Sequence, residues 1–135
     1  MKRSQVGKSS LPRKQRKSMY QNPQHRRYKL MSVHLDDKLM AKYPGVWSVE
    51  VRKGDTVKII KGAFKGHEGK VADLNYRDYR VMVEGATIVK KDGKHVARKF
   101  APNALVITKL DLTDKKRRER LERISKKKVE EGEEE

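Results

Sequence analysis

The chain has 135 residues, of which 35% are apolar and 39% are charged, and its formal net charge is +17. This composition allows one small domain with charged tails but excludes a large core, and the positive excess favours nucleic acid over an anionic membrane surface as partner. The absence of cysteine excludes disulfides, thiolate nucleophiles and Cys-based zinc sites. Because no apolar run is longer than residues 104–107, we predict no membrane partner.

The charges divide the chain into three segments. Residues 1–30 hold ten Lys and Arg and no acidic residue, whereas residues 31–110 hold sixteen basic and nine acidic residues. Residues 111–135 hold nine of each sign, sorted so that the chain closes with EEGEEE. We therefore predict a basic N-terminal extension with a short helix at 1–43, a β-domain at 44–110, and a charged helix with an acidic tail at 111–135.

The first segment has no hydrophobic periodicity, and ten like charges cannot collapse alone. We expect an arm that is extended or disordered when free and that binds a polyanion by releasing its counterions. Two rings among the cations, Tyr20 and His25, can stack on unpaired bases. The predicted RNA-binding cations of the arm are Arg3, Lys8, Arg13, Lys14, Arg16, Lys17, Arg26, Arg27 and Lys29.

A short helix is predicted from Ser32 to Tyr43. Ser32 is a suitable cap, Leu35 and Leu39 have the i, i+4 spacing of one helix face, and Pro44-Gly45 follows as a stop signal.

Short strands separated by turn signals follow. They are predicted at 46–52, 56–60, 69–75, 79–84, 87–90, 95–100 and 105–109. Short strands within about 65 residues favour a small barrel or open roll over a sandwich. The predicted core consists of Val49, Val51, Val57, Ile59, Val71, Leu74, Val81, Val83, Ile88, Val96 and Ile107.

The stretch from Val51 to Val71 combines lysines with glycines that bend the backbone. Such a loop suits contact with a phosphate backbone. It does not fit a nucleotide-binding P-loop, because Phe64 stands where glycine is needed and Val71 where Ser or Thr would hold magnesium. Phe64 has no evident core to join, so we expect an exposed apolar contact. The RNA-binding residues predicted in and beyond this stretch are Lys53, Lys61, Phe64, Lys65, His67, Lys70 and Arg98.

No catalytic or metal-binding residues are predicted. The four histidines are too dispersed in sequence for a local metal motif, and no carboxylate pair has a context for general acid–base work. We therefore expect neither an enzyme nor a cofactor.

A C-terminal helix is predicted from Thr113 to Val129, with Thr113 or Asp114 as its cap. Its apolar stripe consists only of Leu121 and Ile124, so we expect it to fray unless a partner orders it. The acidic end is interpreted as a solvated tail, or alternatively as a shield for the neighbouring basic helix.

The pattern Gly54-Asp55-x-Val57, followed by Gly62-x-x-Lys65-Gly66-x-x-Gly69-x-Val71, resembles the KOW motif of ribosomal proteins and of NusG/Spt5-type transcription factors. Four flanking segments extend the likeness: MSVHL, SVEVRKGDTV, KGAFKGHEGKV and ALVITKLDL. Together they resemble the archaeal branch of the universal large-subunit ribosomal protein family numbered twenty-four, whose eukaryotic counterpart is numbered twenty-six. The likeness runs from about Arg13 to about Arg123.

The resemblance implies an SH3-like barrel in the cytoplasmic large ribosomal subunit, docked on ribosomal RNA near the peptide exit tunnel and helping early assembly. Its partners would be large-subunit ribosomal RNA and neighbouring large-subunit proteins, not a second copy of itself. The acidic end and the loop at Tyr76-Arg77-Asp78 depart from the shared pattern, so the resemblance assigns them no role. The alternative, a transcription-elongation regulator, would need a polymerase-binding domain before the motif, and the first 43 residues are too short and too basic for one.

Overall fold

The fold is mainly β, with seven short strands and one long helix, in a computed structural model that describes residues 9–133. The strands are β1 (Ser32–Leu35), β2 (Ser48–Glu50), β3 (Thr56–Ile59), β4 (Glu68–Asn75), β5 (Arg80–Val89), β6 (His95–Phe100) and β7 (Leu105–Lys109). The α-helices are α1 (Pro12–Gln21), α2 (Gln24–Arg27), α3 (Asp37–Lys42) and α4 (Lys115–Glu133). Two 3₁₀ turns cover Tyr28–Leu30 and Pro102–Ala104.

The strands form one sheet in the order β2-β1-β7-β3-β4-β5-β6. Among the strand pairings within residues 9–133, only that of β1 with β7 is parallel. The register of β5 on β6 shifts between Met82 and Thr87, where Gly85 has a φ of +81°. A bulge with a glycine bends a strand, so the sheet can curve around a single core. The predicted mainly β fold with a C-terminal helix is confirmed, and a small barrel-like sheet is compatible with this strand order.

The core is one cluster of buried apolar residues. Eight of the predicted core residues are buried: Val49, Val51, Val57, Ile59, Val71, Val81, Val83 and Ile107. Leu74 packs against this core and is partly buried. The prediction is wrong for Ile88 and Val96, which are 41% and 40% exposed. They pair with each other on the outer part of the β5–β6 hairpin, where no second layer covers them.

The segment predicted as a helix from Ser32 is instead a strand followed by a shorter helix. Val33 and Leu35 alternate with more exposed residues and are buried, which is the period-two pattern of a half-buried strand. His34 pairs with Val106 of β7. The helix begins only after Asp36, its N-cap residue, and ends before Pro44 as predicted. Ser32 is therefore not a helix cap, and β1 supplies core residues that the prediction omitted.

The N-terminal arm contains helices where the sequence predicts no regular structure. Pro12 occupies the first turn of α1, where its fixed φ favours a helix and its missing N–H costs nothing. No residue of α1 is buried, so contacts of single side chains with the β4–β5 turn hold the helix. The arm residues Arg3 and Lys8 lie outside the described residues.

The remaining predicted bounds differ in detail. The strands at 95–100 and 105–109 are confirmed, while those predicted at 79–84 and 87–90 form one long strand, β5. The C-terminal helix begins after Asp114 and reaches Glu133, so the first acidic residues of the tail are helical.

The C-terminal helix packs on the sheet, contrary to the expectation from its thin apolar stripe. Leu121 is buried in the core and Ile124 packs against it. Farther along, a Cβ built on Gly45 would lie 2.7 Å from Lys128 Cγ, which shows how closely the helix crosses that turn. The core thus takes residues from each of the predicted divisions 1–43, 44–110 and 111–135. The division at residues 43 and 110 stays a prediction.

Candidate nucleic-acid interface

The glycine loop, residues 60–67, is a tight connection between β3 and β4. Gly62 and Gly66 have φ values of +87° and +91°, which favour glycine. Backbone bonds close the loop: Ile59 N donates to the His67 carbonyl at 2.9 Å, and Gly66 N donates to the Ile59 carbonyl at 2.8 Å. The backbone is therefore fixed, and the exposed side chains that it carries are available to a partner.

Three predicted lysines project from this loop and the start of β4: Lys61, Lys65 and Lys70. All three are exposed, and none forms an ion pair within residues 9–133. Cations without an internal counter-ion are the groups that phosphates attract most effectively.

Phe64 does join the core, against the expectation that it has none to join. Its ring meets the ring of Phe100 edge-on, with the centroids 5.8 Å apart. Phe64 is partly buried by this contact, while Phe100 is a buried core residue. The contact fixes the loop beside the end of β6, and RNA contact by Phe64 stays a prediction.

His67 holds the loop against β5. Its Nε2 lies 3.0 Å from the carbonyl oxygen of Glu84, which requires the tautomer with a proton on that nitrogen. A Cβ at Gly85 would come within 3.1 Å of the ring and crowd it, and the φ of +81° also favours glycine at this position. The geometry gives His67 an anchoring role, and its contact with RNA stays a prediction.

Lys53 differs from the loop lysines because it has a partner. Its Nζ lies 2.9 Å from Asp73 Oδ1. The hydrogen bond from Lys53 lowers the pKa of Asp73, assisted by the bond from the Leu74 backbone. A phosphate at Lys53 would have to compete with this carboxylate.

The cations of the arm are spread over the exposed surface of the N-terminal helices. Arg13, Lys14, Arg16, Lys17 and Tyr20 lie on α1, followed by His25, Arg26 and Lys29 in and after α2, and all are exposed. Arg16 and Tyr20 have the i, i+4 spacing of helix neighbours. The helices therefore hold these exposed side chains at fixed spacings on the protein surface.

Arg27 differs from the exposed cations just named, because its guanidinium is used inside the protein. It donates to the carbonyl oxygens of Tyr20 at 2.7 Å, of Asn22 at 2.9 Å and of Arg77 at 2.9 Å. The same group lies 5.5 Å from the centroid of the Tyr79 ring. Arg27 thus positions α1 against the β4–β5 turn.

A cleft lies where α1 meets this turn. It is open to solvent, has a volume of about 480 Å³ and is lined by Arg16, Met19, Tyr20, Arg27, Arg77, Asp78 and Tyr79. Three of these residues, Arg16, Tyr20 and Arg27, were predicted from the sequence as RNA-binding residues, but the cleft that they form together was not predicted. Arg77 and Tyr79 were missed, because they reach the cleft through contacts between residues 50 and 60 positions apart.

Arg98 lies on β6, and its side chain is exposed. The β5–β6 hairpin around it also exposes Lys90, Lys91, Lys94 and Lys99. Arg98 is therefore part of another group of exposed cations, distant in sequence from those of α1.

Within residues 9–133, no group of three or more His, Asp or Glu side chains is placed to hold a metal ion. In that same range, none of the helices combines the length and the apolar character needed to cross a membrane.

Comparison with known proteins gives a consistent match. Residues 9–124 match a family model that describes the eukaryotic ribosomal proteins L26 and their archaeal counterparts, numbered twenty-four. A Large ribosomal subunit protein uL24 of Methanosphaera stadtmanae is 44% identical over 115 residues, covering 85% of this chain and 97% of that protein. The protein of the same name from Korarchaeum cryptofilum is 44% identical over 116 residues, covering 86% of this chain and 88% of that protein.

Proposed function

Because the chain belongs to the ribosomal protein family of eukaryotic L26 and its archaeal counterpart, we propose that it binds large-subunit ribosomal RNA as a structural constituent of the subunit. The family is a structural, non-enzymatic class, and its place is the cytoplasmic ribosome. Neighbouring large-subunit proteins are the further partners that this role implies.

The observation that carries the proposal is the set of exposed cations without internal counter-ions. Lys61, Lys65 and Lys70 surround the glycine loop, and the exposed cations of α1 add a second group. Within residues 9–133, the ion pairs instead use Arg52, Lys53 and cations of α4. The free cations are thus available to phosphates, and the proposed contacts are the predicted RNA-binding residues.

We further propose that the protein joins the subunit early in assembly and lies near the peptide exit tunnel, as the family resemblance implies. The N-terminal helices support a role in ordering RNA, since they bury no residue in the protein's own core. Segments of this kind gain their stability from the partner that they bind. The extension at 1–43, the domain at 44–110 and the tail at 111–135 would then serve the same RNA.

Sedimentation tests the proposal. The full-length protein should sediment with large subunits after a moderate salt wash, and crosslinking within purified subunits should join α1 and the glycine loop to ribosomal RNA. Recovery only in free soluble fractions would refute the proposal. Crosslinks confined to other proteins would refute the RNA-binding part of it.

A further inference from the structure

We infer that the cleft between α1 and the β4–β5 turn binds one unpaired RNA nucleotide, with its base stacked on Tyr20 and its phosphate held by Arg16 and Arg77. This inference rests on the proposed RNA-binding function and adds a specific site and a preference for single-stranded RNA.

The walls of the cleft are fixed before any ligand arrives. The Tyr79 hydroxyl donates to the Met19 carbonyl oxygen at 2.6 Å, and Arg27 bonds both sides of the cleft through the Tyr20 and Arg77 carbonyls. The turn itself is held by Asn75, whose side-chain oxygen accepts from the Arg77 and Asp78 backbone N–H groups. A site organised in advance loses little conformational entropy on binding.

The volume suits a small ligand and not a helix of RNA. At about 480 Å³, the cleft falls within the roughly 300–1,000 Å³ typical of small-molecule sites. A base inside an A-form duplex is stacked and paired, so only an unpaired base can be turned into such a cleft.

The charges in the cleft favour an anion. Arg16 and Arg77 are exposed, and neither has a carboxylate partner within residues 9–133. Arg27 donates only to carbonyl oxygens, so its charge is also uncompensated. Asp78 is the single acidic side chain of the lining, and it accepts a bond from Asn75 Nδ2 at 3.0 Å. Three cations against one carboxylate leave a net positive cleft.

The aromatic rings favour a base. Tyr20 is 71% exposed, whereas the Tyr79 ring already has the Arg27 guanidinium over its face. Tyr20 is therefore the free stacking surface of the cleft, and stacking on an aromatic ring is the usual way to hold an unpaired base. An acidic peptide could use the arginines but has no need of this ring, so we favour the nucleotide.

Fluorescence with the full-length protein tests the site. The probe is a single-stranded RNA dodecamer of uridines carrying one central 2-aminopurine, compared with the same strand paired to its complement. Wild type should quench the single-stranded probe. Tyr20→Ala should remove the quenching and weaken single-strand binding at least fivefold, since stacking contributes about 1–3 kcal/mol per base. Duplex binding should not change, and Tyr20→Phe should behave as wild type.

Two variants that each remove one positive charge distinguish binding in the cleft from a general attraction of RNA to the basic protein. Arg77→Gln should reduce both the quenching and the single-strand affinity. Arg118→Gln removes the same charge from an exposed position on α4 and should leave the quenching intact.

Three outcomes would overturn the inference. If Tyr20→Ala binds and quenches as wild type does while the protein still sediments with large subunits, the cleft site is refuted and the proposed function stands. If an oligoglutamate peptide displaces the probe from wild type and binds Tyr20→Ala equally well, the cleft takes acidic peptide. If wild type binds neither probe nor large subunits, the proposed function falls as well.

Discussion

Asp55 and Arg117 form a bidentate ion pair across 62 positions of sequence, with both oxygen–nitrogen distances at 2.7 Å. Asp55 is 0% exposed and Arg117 5%. The carboxylate also accepts from the Arg52 and Asp111 backbone N–H groups, and the guanidinium also donates to the Glu50 and Asp111 carbonyls. The acidic residue of the KOW-like motif is therefore structural, because it fastens α4 to the sheet.

Removing Arg117 should be severely destabilising. Arg117→Ala leaves the Asp55 carboxylate buried without its counter-ion, which typically costs about 3–5 kcal/mol. Urea unfolding followed by circular dichroism measures the loss. Arg118→Ala is the matched control, because its side chain is exposed, and it should change the free energy by less than about 0.5 kcal/mol. Equal stabilities of the two variants would show that the pair does not hold α4.

The sequence could not predict this pair, and the reason is physical. A charged residue on a helix whose apolar stripe has only two positions is typical of a solvated face. Local spacing gives no information about a carboxylate 62 positions away. By contrast, β3, β6 and β7 carry their own turn signals and apolar alternation, and their predicted positions are confirmed to within one residue. Elements whose burial depends on a distant partner, such as β1 and α4, were predicted less well.

Gly69 should tolerate no side chain, because an added side chain would be crowded by a neighbouring strand. It lies within β4 and is not among the glycines with positive φ, so backbone strain is not the cause. A Cβ there would lie 2.7 Å from the Glu84 carbonyl oxygen, a backbone atom that cannot easily move. Gly69→Val should therefore lower the midpoint of thermal unfolding by several degrees, since overpacking costs about 1–3 kcal/mol.

Gly132→Ala is the control for this substitution. It lies in α4, and its added Cβ would meet nothing within 4 Å. Because alanine is a better helix former than glycine, the midpoint of thermal unfolding of Gly132→Ala should equal or slightly exceed that of wild type. A normal midpoint for Gly69→Val would refute the crowding argument.

The free energy of unfolding should depend on pH in acid, in part through the carboxylate of Asp114 at the start of α4. The hydrogen bond from Arg52, at 2.6 Å, lowers the pKa of Asp114 below its ordinary value of 3.8, assisted by the bond from the Lys116 backbone. A carboxyl group whose pKa is lower in the folded than in the unfolded protein stabilises the folded state at pH values above its unfolded-state pKa. That contribution is lost as the pH falls through the folded-state value.

Asp114→Asn should therefore make stability fall less steeply on acidification below about pH 5, because asparagine caps a helix without titrating. Chemical unfolding at a series of pH values measures the slope. Some dependence should remain, because the pKa of Asp73 is also lowered, by its bond with Lys53. An unchanged slope in the variant would contradict a contribution from Asp114.

In the candidate site, as in the fold, features set by local sequence could be predicted, and contacts between distant residues could not. The exposed lysines of the glycine loop could be predicted, because exposure follows from charge and the turns follow from glycine. The roles of Arg27 and Phe64 could not, since one is used by backbone carbonyls and the other by Phe100. The cleft depends on α1 lying against a turn that is distant in sequence, and no local pattern encodes that contact.

Reversing the loop charges should weaken RNA binding without unfolding the protein. Lys65→Glu and Lys70→Glu act on exposed side chains without internal ion pairs among the described residues, so the expected loss is local to the RNA contact. Filter binding to large-subunit ribosomal RNA should show a several-fold weaker affinity for each. Lys126→Glu changes the net charge equally from an exposed position on α4. Losses of equal size in all three variants would indicate a response to net charge alone.

The salt dependence of binding should measure the contribution of the N-terminal arm. If about eight of its cations meet phosphates, the arm contributes roughly −6 to −7 to the slope of log affinity against log salt. Deleting residues 2–17 should therefore lower affinity and flatten that slope in the same titration. The sheet should stay folded, because Met31 is the first buried residue in the part of the chain that the structure describes, residues 9–133. Circular dichroism checks the fold, and an unchanged slope with an intact fold would show that the arm makes few phosphate contacts.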